Sequence, residues 1–271
     1  MEEYDRVSID GRLGFTESNH KYTLLEDPSK YFKSVTSLLK DYKEPFDAIA
    51  ISESMVANPK SEYFGMDPQV LRDEWKASAA RGTLLHSIGE ALLKGEEPEL
   101  IDDPAVPHLI AAVNELKKQN YKVAATEMLV YDEDLQVAGS SDIILKKGDD
   151  FMIYDFKFIK QLNRTSYFDV YKRDHKRMTG PFKYLHDCNY IHYSIQLAIY
   201  QTLTGEPERI KEKVLVVVTP DSYEFVPCYP MRVYWNEYNE LHAVYERRDK
   251  KWYVSANGKS YKNKPNWIKG L

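Results

Sequence analysis

After Asn120 the apolar residues change period from a helical to a strand pattern, and three consecutive runs follow over 122–131, 135–145 and 150–158. They are joined by the turn-forming Asp132-Glu133-Asp134 and Lys146-Lys147-Gly148-Asp149. Two carboxylates interrupt the apolar runs. Asp142 opens one stretch, and Asp155 lies thirteen residues later inside another, with Lys157 two positions on. On a strand, residues i and i+2 share a face. Asp155 and Lys157 therefore point one way, and Tyr154, Phe156 and Phe158 the other. An aspartate in IYDFKF is costly to bury without a partner. A carboxylate paired with an ammonium beside a second carboxylate is what metal-assisted phosphodiester hydrolysis requires: the acids hold a hard divalent cation, and the lysine positions the attacking water.

The rest of the chain bounds this reading. At 271 residues there is room for one large domain or two small ones. A content of 43% hydrophobic and 29% charged residues is that of an ordinary globular protein. The longest apolar run, VLVVV at 214–218, is far short of the ~20 residues of a membrane span. The acidic, polar opening MEEYDRVSID is no signal peptide. Two cysteines, Cys188 and Cys228, cannot build a disulfide framework, which points to a reducing, cytoplasmic setting. Charge is unevenly spread. Residues 157–183 and 246–271 each carry +6, leaving −17 for the remainder of a chain whose net charge is −5. Two basic segments on an acidic body suggest a local phosphate-binding surface, against the plainer reading of two solvated loops.

Upstream, residues 11–25 read as a hairpin turning at Glu17-Ser18-Asn19. Ser34 is placed to cap a helix over VTSLLKDYK, a second helix runs through 46–57, and Asp67-Pro68 opens a long helix ending near Lys94-Gly95. Val106, Leu109, Ile110, Val113 and Leu116 recur at helical spacing within 105–119. Downstream, a long basic connection covers about 160–187. A helix at 189–203 stops at Gly205, KVLVVVTP is a buried strand, YEFVPCY is its antiparallel neighbour, and 232–248 read as helical. Helices, then strands, then a helix and more strands indicate an α/β or α+β domain.

Further features line up with the two acids. Gly82 and His86 are i and i+4 on the long helix, with the glycine leaving room beside the imidazole. Glu127 lies in the first strand of the trio, and Gly139 precedes Asp142 where close backbone approach is often needed. Gln196 and Tyr200 share one face of the 189–203 helix. The ordered set Gly82…His86, Glu127, Gly139-Ser140-Ser141-Asp142, Asp155-Phe156-Lys157 and Gln196…Tyr200 resembles the PD-(D/E)XK nuclease superfamily, in its RecB-type exonuclease branch, over about residues 80–205. The segment FKSVTSLLKDYKEPFD is similar to the entry segment of phage-encoded nucleases and of the mitochondrial genome-maintenance exonuclease. A D-x-K triplet alone is weak; the weight rests on five motifs in order. Phe158 departs from the pattern, since many relatives carry Thr or Ser after the lysine.

The resemblance implies a restriction-endonuclease-like core: a central mixed β-sheet flanked by helices, with a helical N-terminal elaboration. It implies one nuclease domain over 1–271, with a mainly helical part to 120, a catalytic core over 121–245 and a basic tail over 246–271. The implied function is a DNA nuclease, an exonuclease acting on duplex ends or single strands; the alternatives are an endonuclease of the same fold or a non-catalytic DNA-binding module. Asp142 and Asp155, with the Phe156 carbonyl and His86, would ligate one or two Mg²⁺ or Mn²⁺ ions, imidazole favouring Mn²⁺. Glu127 would join the catalytic set, and Lys157 would offset charge on the transition state. Gln196 and Tyr200 would contact the DNA backbone or brace the lysine. Arg164, Lys172, Arg173, Lys176 and Arg177, interleaved with Tyr167, Tyr171 and Tyr184, would guide the strand. No iron–sulfur cluster and no membrane partner are expected. The chain has no nucleotide-binding loop, so an ATP-driven helicase, or a recombination protein, would be a separate partner, placing the enzyme in replication, recombination or repair of DNA, in the host cytoplasm for a phage-borne chain.

Overall fold

The computed structural model describes residues 4–119, 121–170, 173–246, 252–253, 256–257 and 259–261. Lys172, Tyr171 and nearly all of the basic tail lie outside the described residues.

The chain opens with three antiparallel strands, β1 (Arg6–Val7), β2 (Leu13–Thr16) and β3 (Lys21–Leu24), in that order. The β2–β3 turn is closed by His20 in the left-handed region at φ 54°. A short strand, β4 (Lys33–Ser34), leads into α1 (Val35–Lys40), where the Ser34 hydroxyl accepts from the Ser37 N–H at 3.1 Å. Helix α2 (Ala48–Ala57) is capped by Asp47, and α3 (Pro68–Lys94) by Asp67 with proline in its first turn. Gly95, at φ 83°, ends α3, and α4 (Val106–Lys118) follows. The strand trio is β5 (Lys122–Asp132), β6 (Val137–Lys147) and β7 (Asp150–Phe158). The connection after β7 holds a two-strand ribbon, β8 (Phe168–Asp169) and β9 (Asp174–His175), before α5 (Asn189–Leu203). Then come β10 (Ile210–Val218), β11 (Tyr223–Pro227), β12 (Arg232–Trp235), β13 (Leu241–Glu246), β14 (Trp252–Tyr253) and β15 (Ser260–Tyr261).

This is a mixed α/β fold. The central sheet has the order β11-β10-β7-β6-β4, with β5 also paired to β6. Strands β7 and β10 are parallel, as are β4 and β6; the remaining pairs are antiparallel. The parallel pair needs a crossover, which α5 supplies. Helices cover both faces. Met152, Tyr154 and Phe156 of β7 pack with α3 and α4, while Ile153 packs with α1 and α5. Burial on both sides explains why the middle of β7, 151–154, and the second half of β10, 214–218, are continuously apolar.

One expectation fails. The stretch expected to be helical over 232–248 is not helical in its described part, 232–246: 232–235 and 241–246 form the β12–β13 hairpin, and 247–248 lie outside the described residues. Polar, charged residues such as Glu237 and Glu240 gave the stretch a helical look, but they belong to the turn. Asn236 Oδ1 accepts from the Tyr238 and Glu240 N–H groups at 3.0 and 2.9 Å, and Asn239 sits at φ 56°. The strand period is carried by Leu241, Ala243 and Tyr245, all buried against the α5 layer. Among the described residues no helix is long and apolar enough to cross a membrane.

Candidate metal centre

The β6–β7 ladder runs from Lys147–Asp150 to Ile143–Tyr154 and then stops, although β5 stays paired to β6 and β10 to β7. The next positions in that register are Asp142 and Asp155, so the two aspartates face each other where the strands part. The Phe156 N–H, freed from the ladder, donates to Asp142 Oδ2 at 2.9 Å. A strand residue directs its N–H and C=O to the same side, so the Phe156 carbonyl faces the same opening.

Three other elements reach this point. Helix α3 brings His86, whose Nδ1 is 3.1 Å from Asp142 Oδ2 and whose ring meets Phe156 and Phe158 edge-on. Strand β5 brings Glu127, opposite Asp142 between the paired positions Thr126–Ile143 and Met128–Ser141. Glu127 has φ 48°, a conformation that costs energy for a residue with a side chain and often marks a functional position. One ligand atom from each of His86, Glu127 and Asp142 lies within 4.8 Å of the other two, the one such group among the described residues. All three line a cleft of about 470 Å³, together with Arg6, Glu17, His20, Gly139, Ser140, Gln196 and Tyr200.

Asp155 and Lys157 stand behind this trio. They form an ion pair with each other, and Asp155 is only 1% exposed. The Lys157 ammonium also lies 4.7 Å from the centre of the Tyr193 ring on α5. The charges interlock. Burial, then the Asp142 charge, pushes Asp155 up to about 6. Burial opposes the Lys157 ammonium, but the two aspartates outweigh it and hold its pKa above the ordinary lysine value. Burial also opposes the Asp142 carboxylate, yet His86, Lys157 and the Phe156 N–H bring it below the usual range. Glu127 is raised, by burial first and by Asp142 second. His86 is raised because Asp142 outweighs its burial. Two carboxylates and an imidazole drawn together at a half-buried point suit a Mn²⁺- or Mg²⁺-type cation, with oxygen donors predominating.

Other residues singled out in the sequence fall into different places. Gly139 meets the Tyr200 ring so closely that a Cβ there would lie 2.4 Å from Tyr200 Cε1. Tyr200 is 3% exposed and accepts a hydrogen bond from Gln196 Nε2 at 2.8 Å, so it braces the cleft wall and Gln196 presents the polar surface. Gly82 has nothing within 4 Å of a Cβ position, so its presence leaves no special room for the imidazole. In the basic connection, Lys176 ties Glu44 to Asp187, each at 3.3 Å, and Arg177 holds Asp174 at 3.0 Å and the Tyr184 carbonyl at 3.3 Å. These two cations brace the loop. Arg173 is exposed, and the Arg164 guanidinium lies 5.0 Å above the Tyr190 ring.

Sequence reasoning missed the hairpin's contribution. Arg6 donates to Glu127 Oε2 and Glu17 Oε2, both at 3.0 Å, and Ser140 Oγ donates to Glu127 Oε2 at 2.7 Å. Nothing in a two-residue strand announces such a role. Tyr193 had a visible signal, three residues before Gln196 on the same helix. Compared with known proteins, the chain matches no family model and no curated relative.

Proposed function

We propose that this chain is a divalent-metal-dependent deoxyribonuclease with a restriction-endonuclease-like core, hydrolysing phosphodiester bonds at DNA ends or in single strands. The observation that carries the reading is the convergence of His86, Glu127 and Asp142 from α3, β5 and β6, with the buried Asp155–Lys157 pair directly behind. His86, Glu127 and Asp142 would hold Mn²⁺ or Mg²⁺, with Asp155 and the Phe156 carbonyl facing the same opening. A cation bound there supplies Lewis-acid polarisation of the phosphate.

The chain's own groups supply the rest. Lys157 keeps its proton because both aspartates stabilise the ammonium, so it offers a fixed donor to an attacking water or to the charge building on phosphorus. Asp155 and the Tyr193 ring fix the direction of that donor. Gln196, on the cleft wall, offers the amide N–H not given to Tyr200 to the phosphodiester backbone. Arg173, which is exposed, and Arg164, whose ion pair to Glu224 is exposed and 4.0 Å long, are placed to meet further phosphates.

The test is digestion of end-labelled linear and closed circular DNA in Mn²⁺ by the wild type, Asp142→Ala and Lys157→Ala. Loss of linear DNA alone, abolished in both variants while DNA is still bound, is the expected result. Cutting of circles would make the enzyme an endonuclease. Binding without cutting by the wild type, or cutting by both variants at the wild-type rate, would overturn the assignment.

A further inference from the structure

Lys213 is a half-buried cation on β10 whose counter-charge is missing among the described residues. In the register that pairs Val214 with Pro227, it lies directly across from Cys228. Two of its three ammonium protons are used, by Gln201 Oε1 at 2.5 Å and by the Met231 carbonyl at 3.3 Å. Gln201 is itself fixed, since its Nε2 donates to the Pro207 and Ile210 carbonyls at 2.8 and 3.3 Å. Both acceptors are therefore neutral and committed.

The charges around Lys213 have the wrong sign for a structural ion pair. Arg232 is the charged side chain whose field reaches it, and its guanidinium has no ion-pair partner among the described residues. Burial foremost, with Arg232 adding to it, pushes Lys213 down to about 8 despite the opposing influence of Cys228. Cys228 offers no anion, because burial pushes its thiol up to about 12. Glu212, the one carboxylate among the residues lining the cavity here, alternates with Lys213 along β10, and its field acts on Tyr154. Two cations whose fields reach each other, one of them partly desolvated, are stabilised by an anion between them.

A cavity opens at this place. Lys211, Glu212, Lys213, Cys228, Met231 and Arg232 are among the residues lining a space of about 600 Å³, within the range of small-ligand sites, and its cations outnumber its one carboxylate. It shares no lining residue with the His86–Glu127–Asp142 cleft. We infer that this cavity binds a phosphate-bearing anion, a phosphomonoester or free phosphate, between Lys213 and Arg232. The site stands apart from the nuclease reading and does not depend on it.

Isothermal titration calorimetry on the whole chain in EDTA, which keeps metal out of the cleft, tests this with three probes: inorganic phosphate, deoxyadenosine 5′-monophosphate and deoxyadenosine. Saturable binding of a phosphate-bearing probe is expected, weakened at least tenfold by Arg232→Gln and by Lys213→Met, and unchanged in His86→Ala. Tighter binding of the monophosphate than of phosphate identifies a nucleotide as the source; equal binding means that the phosphate group alone is read. Arg232 lies on a partly exposed strand, so Arg232→Gln carries the test if Lys213→Met fails to fold. Absence of saturable binding by both anions, equal binding of deoxyadenosine, or an unaffected Arg232→Gln variant would overturn the proposal.

Discussion

Replacing Gly139 by alanine should destabilise the protein through a single contact. A Cβ at this position would lie 2.4 Å from Tyr200 Cε1 and 3.2 Å from Val35 Cγ2. Carbon atoms ordinarily rest about 3.5–4.0 Å apart, so the ring must retreat by more than about 1 Å. It has nowhere to go, because Tyr200 is buried in the α5 layer and its hydroxyl is held by Gln196. Overpacking of this kind costs ~1–3 kcal/mol. Urea denaturation, with a slope of ~2–3 kcal/mol/M, should show the midpoint falling by roughly 0.3–1.5 M. The cost belongs to the ring, so Tyr200→Leu should absorb most of it. In a double-mutant cycle, the pair Gly139→Ala and Tyr200→Leu should be less destabilised than the sum of the single variants by ~1 kcal/mol or more. Additive costs, or a neutral Gly139→Ala, would refute the claim that this glycine exists to admit the tyrosine.

Three further outcomes are expected. Lys213 has a folded pKa of about 8 against an ordinary 10.5, so its contribution to stability is present above 10.5 and is lost as pH falls towards 8. Wild-type stability relative to Lys213→Met should therefore decline by roughly 3 kcal/mol over that window in urea titrations, and a flat difference would contradict the burial argument. Asn239→Val should cost ~1–2 kcal/mol of urea-derived stability because of the positive φ, whereas Asn239→Gly should be close to neutral. Arg6→Met removes a guanidinium from Glu127, so Mn²⁺ should bind about two- to fivefold more tightly by calorimetry, matching the ~0.5–1 kcal/mol of a partly exposed ion pair.

Helix boundaries were legible wherever the backbone's own needs select the residue. Ser34, Asp67-Pro68 and Gly95 each stand where a cap or first turn requires them. The strand trio was legible because its turns fix the register, and that register alone brings Asp142 opposite both Glu127 and Asp155. The β12–β13 hairpin was not, because its turn depends on Asn236 and Asn239 rather than on a glycine, and its polar residues mimic a helix surface. For the site, sequence spacing could place His86, Glu127, Asp142, Asp155 and Lys157 on their elements. The period of the strand already paired Asp155 with Lys157, but it could not say that Glu127, rather than Asp155, joins His86 and Asp142, since that division is made by burial and by the parting of β6 from β7. Arg6 reaches Glu127 across 121 residues, a distance no local pattern encodes. Lys176 and Arg177 looked like free cations because their acids, Glu44 and Asp187 for one and Asp174 for the other, are brought in by the folded loop.

The claim that His86, Glu127 and Asp142 form one cation site is tested most directly by Mn²⁺ titration followed by electron paramagnetic resonance, in which bound Mn²⁺ loses the signal of the free ion. Wild-type protein should bind Mn²⁺ saturably, and His86→Ala, Glu127→Gln and Asp142→Asn should each weaken that binding by at least tenfold. Wild-type protein that leaves the free-ion signal intact, or three variants that bind as the wild type does, would contradict the account.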